Sequence, residues 1–432
     1  MKHIAVVSPT ERDRRELGRI ADAHGVGISF LGDDTSEYLD TLDVNALIAS
    51  TIRWCQVHRP DGIISSDDYP GSIISHIAAR ACCLPHTDPV VILGCQHKYR
   101  SRELQTRTVP HAAPRYFLID PSSTRGVGSA QPPDTSPLPY PFFVKPVKSF
   151  FSILSRKVSS DRQLNAVIQQ SHQHFRTKLQ PFNELLARYS DHPLSANYLI
   201  GEEILEGHQV TVEGYMFEGT FTLIGVVDSI MFPDTHSFQR FEFPSALSEK
   251  VCSRMTDIAQ TFLRAIGYHN AMVNIEMMYN PASDDIKIIE VNTRLSSQFA
   301  DLFEKVHGVN TYAILLDLCC GIRPQWEPYQ GHYAIAASCV LRTFEDSIVR
   351  ALPTQTDKEH LFAAEPDARI ELFGSIDHTL SEEIQDGMSY RYGLINIGAQ
   401  SQKELLEKFQ RCKSLLPIQF EPMLHSTTAA GV

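Results

Sequence analysis

The sequence predicts a mixed fold of the α/β and α+β classes, and three observations indicate it. The chain opens with a short apolar strand, a polar helical stretch and a second strand, which is the pattern of a β-α-β unit. Alternating strands with glycine turns follow in the middle of the chain, at NYLIGEEILEG and HQVTVEGYMFEGTFTLIGVVD. The last hundred residues combine short strands with one helix, which predicts a smaller α+β tail.

Composition and charge exclude several functional classes. The chain has 432 residues, 43% of them hydrophobic, and a formal net charge of −12 without any dense run of lysine or arginine. Such a surface does not favour nucleic acid or an anionic membrane as a partner. No apolar run reaches the roughly 18 residues of a membrane span, and the nine cysteines include no CxxC pair. The sequence therefore predicts a cytoplasmic protein with reduced cysteines.

The first predicted domain covers residues 1–95. HIAVV and VGISFLG read as strands on either side of the helix ERDRRELGRIADAHG, which stops at Gly25, and DGIISS reads as a buried strand between two further helices. Together they predict an open parallel sheet. The residues Ser65 to Asp68 follow the buried strand directly, where open sheets bind ligands, although they could equally cap the next helix.

Three further segments complete the predicted organisation. Residues 96–205 contain a basic stretch, a Pro/Ser/Gly-rich loop at 121–139, the strand YPFFVKPV and a polar helical region from about 161 to 193. Residues 206–330 contain strands with predicted turns at Gly207, Gly214 and Gly219, a helix over 248–266 and a hairpin. Residues 331–432 form the small α+β tail.

The hairpin MVNIEMMYNPASDDIKIIEVNTR, residues 272–294, carries the strongest chemical signal. Period-two alternation puts Glu290, Asn292 and Arg294 on one face of its second strand. A turn centred on Ser283 would set Glu276 directly opposite Glu290. Like charges across a ladder are destabilising unless something neutralises them, and a hard divalent cation does so. The alternatives are a solvated polar face, or a bulge in the turn that moves Glu276 away.

These residues resemble the magnesium-binding signature of ATP-grasp carboxylate-amine ligases, the superfamily of L-amino acid ligases, D-alanine–D-alanine ligase and biotin carboxylase. The order of other motifs fits. YPFFVKPV resembles the strand with the phosphate-binding lysine, Lys145, and HKYRSRE resembles the segment with a second lysine, Lys98. Taken alone, either lysine could be a solvated surface residue. The resemblance implies a Rossmann-like pre-ATP-grasp domain, an ATP-grasp fold of two lobes, and a small C-terminal α+β subdomain.

The resemblance also implies a ligand for each motif. YLIGEEILEGHQVTVEG resembles the adenine hinge, so Glu202, Glu203 and Leu205 would lie along the adenine edge, and Gln209 would stand where the family has a ribose-binding glutamate. Glu276, Glu290 and Asn292 would hold Mg²⁺ or Mn²⁺. The loop after Lys145 lacks the usual glycines, so Lys148 with the hydroxyls of Ser149 and Ser152 would replace the backbone phosphate cradle, and Phe150 and Phe151 would close over it.

The implied reaction is amide formation through an acyl phosphate. ATP phosphorylates a substrate carboxylate, an amine then displaces the phosphate, and Arg294 would stabilise both the acyl phosphate and the oxyanion. LSSQF after Arg294 replaces a glycine-rich run, so Ser296, Ser297 and Gln298 are predicted to contact the substrate. We expect small-molecule carboxylate and amine partners, amino acid-like, and a possible homodimer. Two alternatives stay open: a bicarbonate-activating enzyme of biotin carboxylase or carbamoyl phosphate synthetase type, and a non-catalytic ATP-binding protein.

Overall fold

A computed structural model describes residues 1–35, 42–122, 138–149, 154–387 and 389–423. By the density of their contacts these residues form two compact units. The first consists of Met1–Asp228, Ser245–Ala300 and Val309–Pro328, and the second of Ser229–Pro244, Asp301–Gly308 and Tyr329–Val432. The four domains predicted from sequence stay a prediction.

The N-terminal part of the first unit is a parallel sheet with helices between its strands, as predicted. The strands are β1 (Lys2–Val7), β2 (Val26–Leu31) and β3 (Gly62–Ile64), in the order β2-β1-β3. The helices are α1 (Glu11–Ile20), α2 (Val44–His58) and α3 (Gly71–Ala81). Helix α1 begins at a capping box in which Thr10 and Asp13 satisfy each other's backbone N–H.

An antiparallel sheet of four strands follows in the first unit. Its order is β4-β7-β5-β6, with β4 at Tyr116–Ile119, β5 at Phe142–Pro146, β6 at Arg156–Val158 and β7 at Leu199–Glu202. The helices α4 (Pro89–Gln96) and α5 (Lys98–Thr108) precede it, and α6 (Asp161–Lys178) and α7 (Gln180–Tyr189) lie between β6 and β7 in sequence. Most of the loop predicted at 121–139 lies outside the described residues.

The third part of the first unit carries the predicted hairpin. Four strands pair antiparallel in the order β12-β11-β8-β9, with β8 at His208–Phe217, β9 at Thr220–Met231, β11 at Ala271–Asn280 and β12 at Asp285–Asn292. Helix α8 (Glu249–Ile266) ends at Gly267, and α10 (Thr311–Cys319) follows later.

One predicted turn is wrong, because Gly214 lies inside β8 at a register shift rather than between strands. A side chain at this position would collide with the ring of Phe221, so the glycine is needed for close packing.

The second unit is the α+β part of the chain. Strands β10 (Phe238–Phe243), β13 (Ile335–Thr343), β17 (Ser389–Ala399) and β15 (Arg369–Leu372) pair in that order, and β16 (Gln385–Asp386) pairs with β17. Strand β14 (Ser347–Ala351) pairs with β18 (Gln419–Pro422). The remaining helices are α9 (Ala300–His307), α11 (Gln355–Ala364), α12 (Leu380–Glu383) and α13 (Gln402–Ser414).

Among the residues that the structure describes, no helix combines the length and apolar character required to cross a bilayer.

Candidate active site

The paired carboxylates lie where the sequence predicts them. Glu276 on β11 is directly opposite Glu290 on β12, and Asn274 is opposite Asn292. Directly opposed residues in an antiparallel pair have their Cβ atoms only about 5 Å apart. The hairpin therefore brings two carboxylates and two amides to one face of the sheet.

The reason for this register differs from the prediction. The turn pairs Asn280 with Asp285, whereas a turn centred on Ser283 would pair Asn280 with Ile286, and a regular ladder from the observed pair would place Ile289 opposite Glu276. Instead the register shifts, because Met277 pairs with Ile288 and Glu276 pairs with Glu290. Ile289 is the extra residue of a β-bulge. The bulge brings Glu290 to the face of Glu276, whereas the sequence argument treated a bulge as the feature that would separate them.

The pKa values of the two carboxylates are shifted in opposite directions. Burial and the facing Glu290 raise the pKa of Glu276 above its usual range. Burial also opposes ionisation of Glu290, but Lys98 and Lys145 outweigh it and lower the pKa of Glu290. The Lys98 Nζ lies 2.9 Å from a Glu290 oxygen. Lys98 thus neutralises Glu290, whereas Glu276 needs a further cation to ionise readily.

Glu276 is held by two amide side chains. The Gln209 Nε2 donates to one of its oxygens at 3.0 Å, and the Asn292 Nδ2 to the other at 3.4 Å. Through this hydrogen bond Gln209 orients the carboxylate proposed to hold the metal, and its role in binding ribose stays a prediction. The Asn292 Nδ2 also donates to Asn274 at 3.3 Å.

The lysines proposed for phosphate binding are buried and paired. Lys145 Nζ lies 2.8 Å from Glu202, and Lys148 Nζ lies 3.6 Å from Asp68. Burial lowers the pKa of both lysines, and in each case the partner carboxylate works against that fall. Buried cations of this kind are available to phosphate oxygens at little desolvation cost, because burial has already removed their water.

Both glutamates of the proposed adenine hinge form ion pairs with cationic side chains. Glu202 is buried, and its carboxylate bonds to Arg102 at 2.7 Å as well as to Lys145. Burial raises its pKa, but the two cations outweigh this and lower the pKa of Glu202 to about 2. Glu203 pairs with Arg115 at 2.8 Å, and Leu205 is half-buried beyond β7. The Glu202 side chain thus pairs with Lys145, the lysine proposed to bind phosphate, and the position of Glu202, Glu203 and Leu205 along the adenine edge stays a prediction.

The residues after Asn292 approach the end of β3. Arg294 Nε lies 3.6 Å from Asp68, and the Ser296 N–H donates to Glu213 at 2.8 Å. The Ser297 hydroxyl accepts from Arg12 at 2.9 Å. Gln298 lies in a 3-10 helix at Ser297–Phe299. Arg294 and Ser297 thus contact Asp68 and Arg12, which follow β3 and β1 at the sheet end where the sequence placed a possible ligand site.

The glycine-free segment after Lys145 lies only partly within the described residues. Lys148 is buried over the rings of Tyr69 and Phe182, at 4.8 and 5.2 Å from their centroids, and Ser149 is half-buried. Ser152, together with Phe150 and Phe151, lies outside the described residues. The replacement of a backbone cradle by these side chains stays a prediction.

Sequence reasoning missed three side chains of the site. Arg102 stands four residues after Lys98, and this spacing on a helix was the available signal. Asn274 was placed on the polar face without a role, and it donates to Glu213 at 2.6 Å. Glu213 is fully buried, and burial raises its pKa to about 7 against the opposing effect of the Asn274 hydrogen bond. A glutamate within an apolar strand gave no sign of these partners.

The donor set fits a nucleotide with a divalent cation. No cluster of three or more His, Cys, Asp or Glu side chains suited to a metal occurs among the described residues. Two carboxylates and one amide supply oxygens only, which suits Mg²⁺ or Mn²⁺ completed by phosphate and water. The nearby lysines supply the positive charge that the remaining phosphate oxygens require.

Comparison with known proteins defines the class. Residues 138–302 match the ATP-grasp domain family, and the chain therefore contains an ATP-grasp domain, as the order of its motifs predicts. A comparison with curated protein sequences gives no significant match.

The whole chain is similar in fold to the L-amino acid ligase from Bacillus licheniformis, with a TM-score of 0.75 and 14% identity over 98% of this chain and 99% of that one. It is also similar to N5-carboxyaminoimidazole ribonucleotide synthetase from Thermotoga maritima, with a TM-score of 0.63 and 14% identity over 97% and 99% of the two chains. A biotin carboxylase from Campylobacter jejuni gives a TM-score of 0.62 and 14% identity over 97% and 92%. These likenesses confirm the predicted fold class, from the N-terminal sheet to the C-terminal subdomain.

Proposed function

We propose that the protein is an ATP-dependent carboxylate-amine ligase that forms an amide bond and releases ADP and phosphate. The observation that carries this proposal is the face-to-face pair Glu276 and Glu290, with Lys98 and Lys145 beside it. Directly opposed carboxylates are unfavourable in a resting protein unless a cation neutralises them. The similar folds include an L-amino acid ligase, which supports substrates of the amino acid type.

The first step is phosphorylation of a carboxylate. A carboxylate oxygen of the substrate attacks the γ-phosphorus of ATP, the bond to the β-phosphate oxygen breaks, and ADP leaves. Lys98 and Lys145 would bind the phosphates, while Glu276, Glu290 and Asn292 would hold Mg²⁺ or Mn²⁺. When bound, the metal ion neutralises phosphate charge during transfer.

The second step is amide formation. The amine nitrogen attacks the acyl carbon, the bond from that carbon to the phosphate oxygen breaks, and the proton that the nitrogen loses passes to the departing phosphate or to water. Arg294 lies on the same strand extension as the metal-binding residues and adjoins Asp68, so it is placed to stabilise the acyl phosphate and the oxyanion. Loss of such a donor costs roughly 10²- to 10³-fold in turnover.

ADP release with a matrix of amino acids, with and without bicarbonate, tests the proposal. Release that requires ATP, Mg²⁺ and two amino acid-like substrates, with an amide product in the mass spectrum, supports ligation. Release that requires bicarbonate instead would support the carboxylating alternative. Nucleotide binding without release under any condition would support the non-catalytic one.

Arg294→Lys sharpens the test, because it keeps the charge but loses the fork of donors. We expect a large loss of kcat, whereas the exposed Arg323→Lys control, which disturbs a surface pair with Glu218 and a cation–π contact with Phe217, should retain activity. Equal kcat values for both variants would contradict the role of Arg294. The cytoplasmic location and the homodimer are further proposals, and fractionation and light scattering test them.

A further inference from the structure

Two side chains of helix α5 contact the bulged segment of β12. Lys98 and Arg102 are four residues apart, so they lie one above the other on the helix. The Lys98 Nζ contacts the Glu290 carboxylate, and the Arg102 guanidinium donates to the backbone carbonyl of Ile289 at 2.6 Å. Two consecutive residues at the bulge, Ile289 and Glu290, are thus held by one face of one helix.

The bulge needs such a partner. The extra residue of a bulge interrupts the ladder and is left unpaired by the neighbouring strand, and here that residue is Ile289. A carbonyl in this position is costly unless a donor satisfies it. Arg102 supplies a charged donor, which makes a stronger hydrogen bond than a neutral one.

The Arg102 side chain is buried, and all three of its guanidinium nitrogens donate hydrogen bonds. Only 2% of its surface is exposed. Its Nε donates to Glu202 at 2.7 Å, one terminal nitrogen donates to Gln105 at 2.6 Å, and the other to Ile289. A guanidinium spreads its donors over a rigid plane, so this set of three acceptors cannot be reproduced by the single ammonium of lysine.

We propose that Arg102 is a positioning residue that holds the bulge at Ile289 and thereby aims Glu290 into the metal site. If Ile289 instead joined the regular ladder opposite Glu276, Glu290 would lie on the same face as the buried Ile288, away from the metal site. Arg102 touches neither the substrate nor the metal in this assignment. It acts on Glu290 through the backbone. The assignment rests on the proposed function only in taking Glu290 as a metal ligand.

Arg102 could also affect the site through Glu202 and Lys145, and this effect must be distinguished from its effect on the bulge at Ile289. Arg102 also binds Glu202, which in turn binds Lys145. Loss of Arg102 could therefore weaken nucleotide binding through Lys145 and leave the metal site unaffected. The two effects differ in what they predict for metal-free nucleotide, because only the effect on the bulge requires the metal.

The experiment compares Arg102→Lys, Glu202→Gln and the control Arg100→Lys in the full chain. Arg100 lies on the same helix, and its guanidinium pairs with Glu103 at a part-exposed position. Binding of Mn²⁺ in the presence of the non-hydrolysable analogue AMP-PNP is measured by electron paramagnetic resonance. Binding of AMP-PNP alone, in EDTA, is measured by calorimetry. Thermal unfolding confirms that each variant is folded.

For Arg102→Lys we expect Mn²⁺ affinity to fall about 10- to 100-fold, as for the loss of a hydrogen bond to a charged group, with a much smaller change for metal-free AMP-PNP. Glu202→Gln should weaken AMP-PNP in both conditions, and Arg100→Lys should change neither. Equal losses with and without Mn²⁺ in Arg102→Lys, or no loss at all, would overturn the proposal. If wild-type protein binds AMP-PNP but no Mn²⁺, the proposed function itself fails.

Deletion of Ile289 provides a second, independent test. It makes the ladder regular while Glu290 stays opposite Glu276, and it removes the carbonyl that Arg102 holds. Because Glu290 still faces Glu276, the deletion variant should retain Mn²⁺ binding, and adding Arg102→Lys to it should change the Mn²⁺ affinity less than about twofold, because the carbonyl that Arg102 holds is gone. Multiplicative effects would overturn the proposal. If the deletion variant does not fold, the comparison of Arg102→Lys with Glu202→Gln still decides it.

Discussion

Glu213 is the fully buried carboxyl group of the site, and its replacement by glutamine tests how burial controls the charge there. Burial raises the pKa of Glu213 from its ordinary value of 4.5 to about 7, although hydrogen bonds from Asn274 and Ser296 favour the ionised form. The folded state therefore holds the proton more tightly than the unfolded chain. This contribution to stability is complete below about pH 4.5 and is lost as the pH rises through about 7.

The difference between the two pKa values amounts to about 3 kcal/mol in total, since one pKa unit is worth about 1.4 kcal/mol. Between pH 5 and pH 8 the wild type should lose about 2 to 3 kcal/mol of unfolding free energy relative to Glu213→Gln, which cannot ionise. Other groups titrate in both proteins, so the comparison isolates Glu213.

Urea unfolding at several pH values, followed by tryptophan fluorescence, measures this difference. Both tryptophans, Trp54 and Trp326, belong to the same compact unit as Glu213. Glu359→Gln is the matched control, because Glu359 is exposed and its removal should leave the pH profile of the wild type unchanged. Parallel pH profiles for the wild type and Glu213→Gln would refute the argument that burial holds a proton on this group.

Three further predictions concern the metal, the hinge and the substrate. Glu290→Ala should abolish turnover while circular dichroism stays native, and retained turnover would contradict the metal assignment. Gly207→Ala should destabilise the protein by more than about 1 kcal/mol and weaken ATP binding, because Gly207 has φ +133° and a Cβ there would collide with a backbone oxygen; Gly219→Ala, with open space around it, should cost less. Asp68→Asn should lower the KM for the carboxylate about two- to fivefold, because Asp68 competes with it for Arg294; an unchanged KM would argue against a substrate carboxylate at Arg294.

The sequence predicted most of the fold because its local signals agree with one another. Apolar runs, helix stops and the NPASDD turn cluster placed the N-terminal sheet, the hairpin and the C-terminal subdomain. Gly214 shows the limit of such signals, since a glycine predicts a turn equally well whether it reverses the chain or makes room for the Phe221 ring. Only packing between β8 and β9 distinguishes the two cases.

The bulge at Ile289 is a second feature that local sequence signals did not predict. The pattern Ile286, Ile288, Val291 breaks period-two alternation, and all three side chains are buried. That break is the signal that could have located the bulge at Ile289 in advance. Its effect on Glu276 and Glu290 was still unpredictable, because it depends on the turn register as well.

The sequence by itself determined which chemical groups are present and in what order: paired carboxylates, two separated lysines and an arginine on a strand, in an acidic chain. Residue type and spacing suffice for this, because alternation along one strand is a local property. The tertiary structure alone decided which groups meet. Arg102 donates a hydrogen bond to the carbonyl of Ile289, and Glu213 accepts hydrogen bonds from Asn274 and Ser296. These contacts join residues that are 61 to 187 positions apart in the chain. Such pairings follow from the packing of whole elements, which no local pattern encodes.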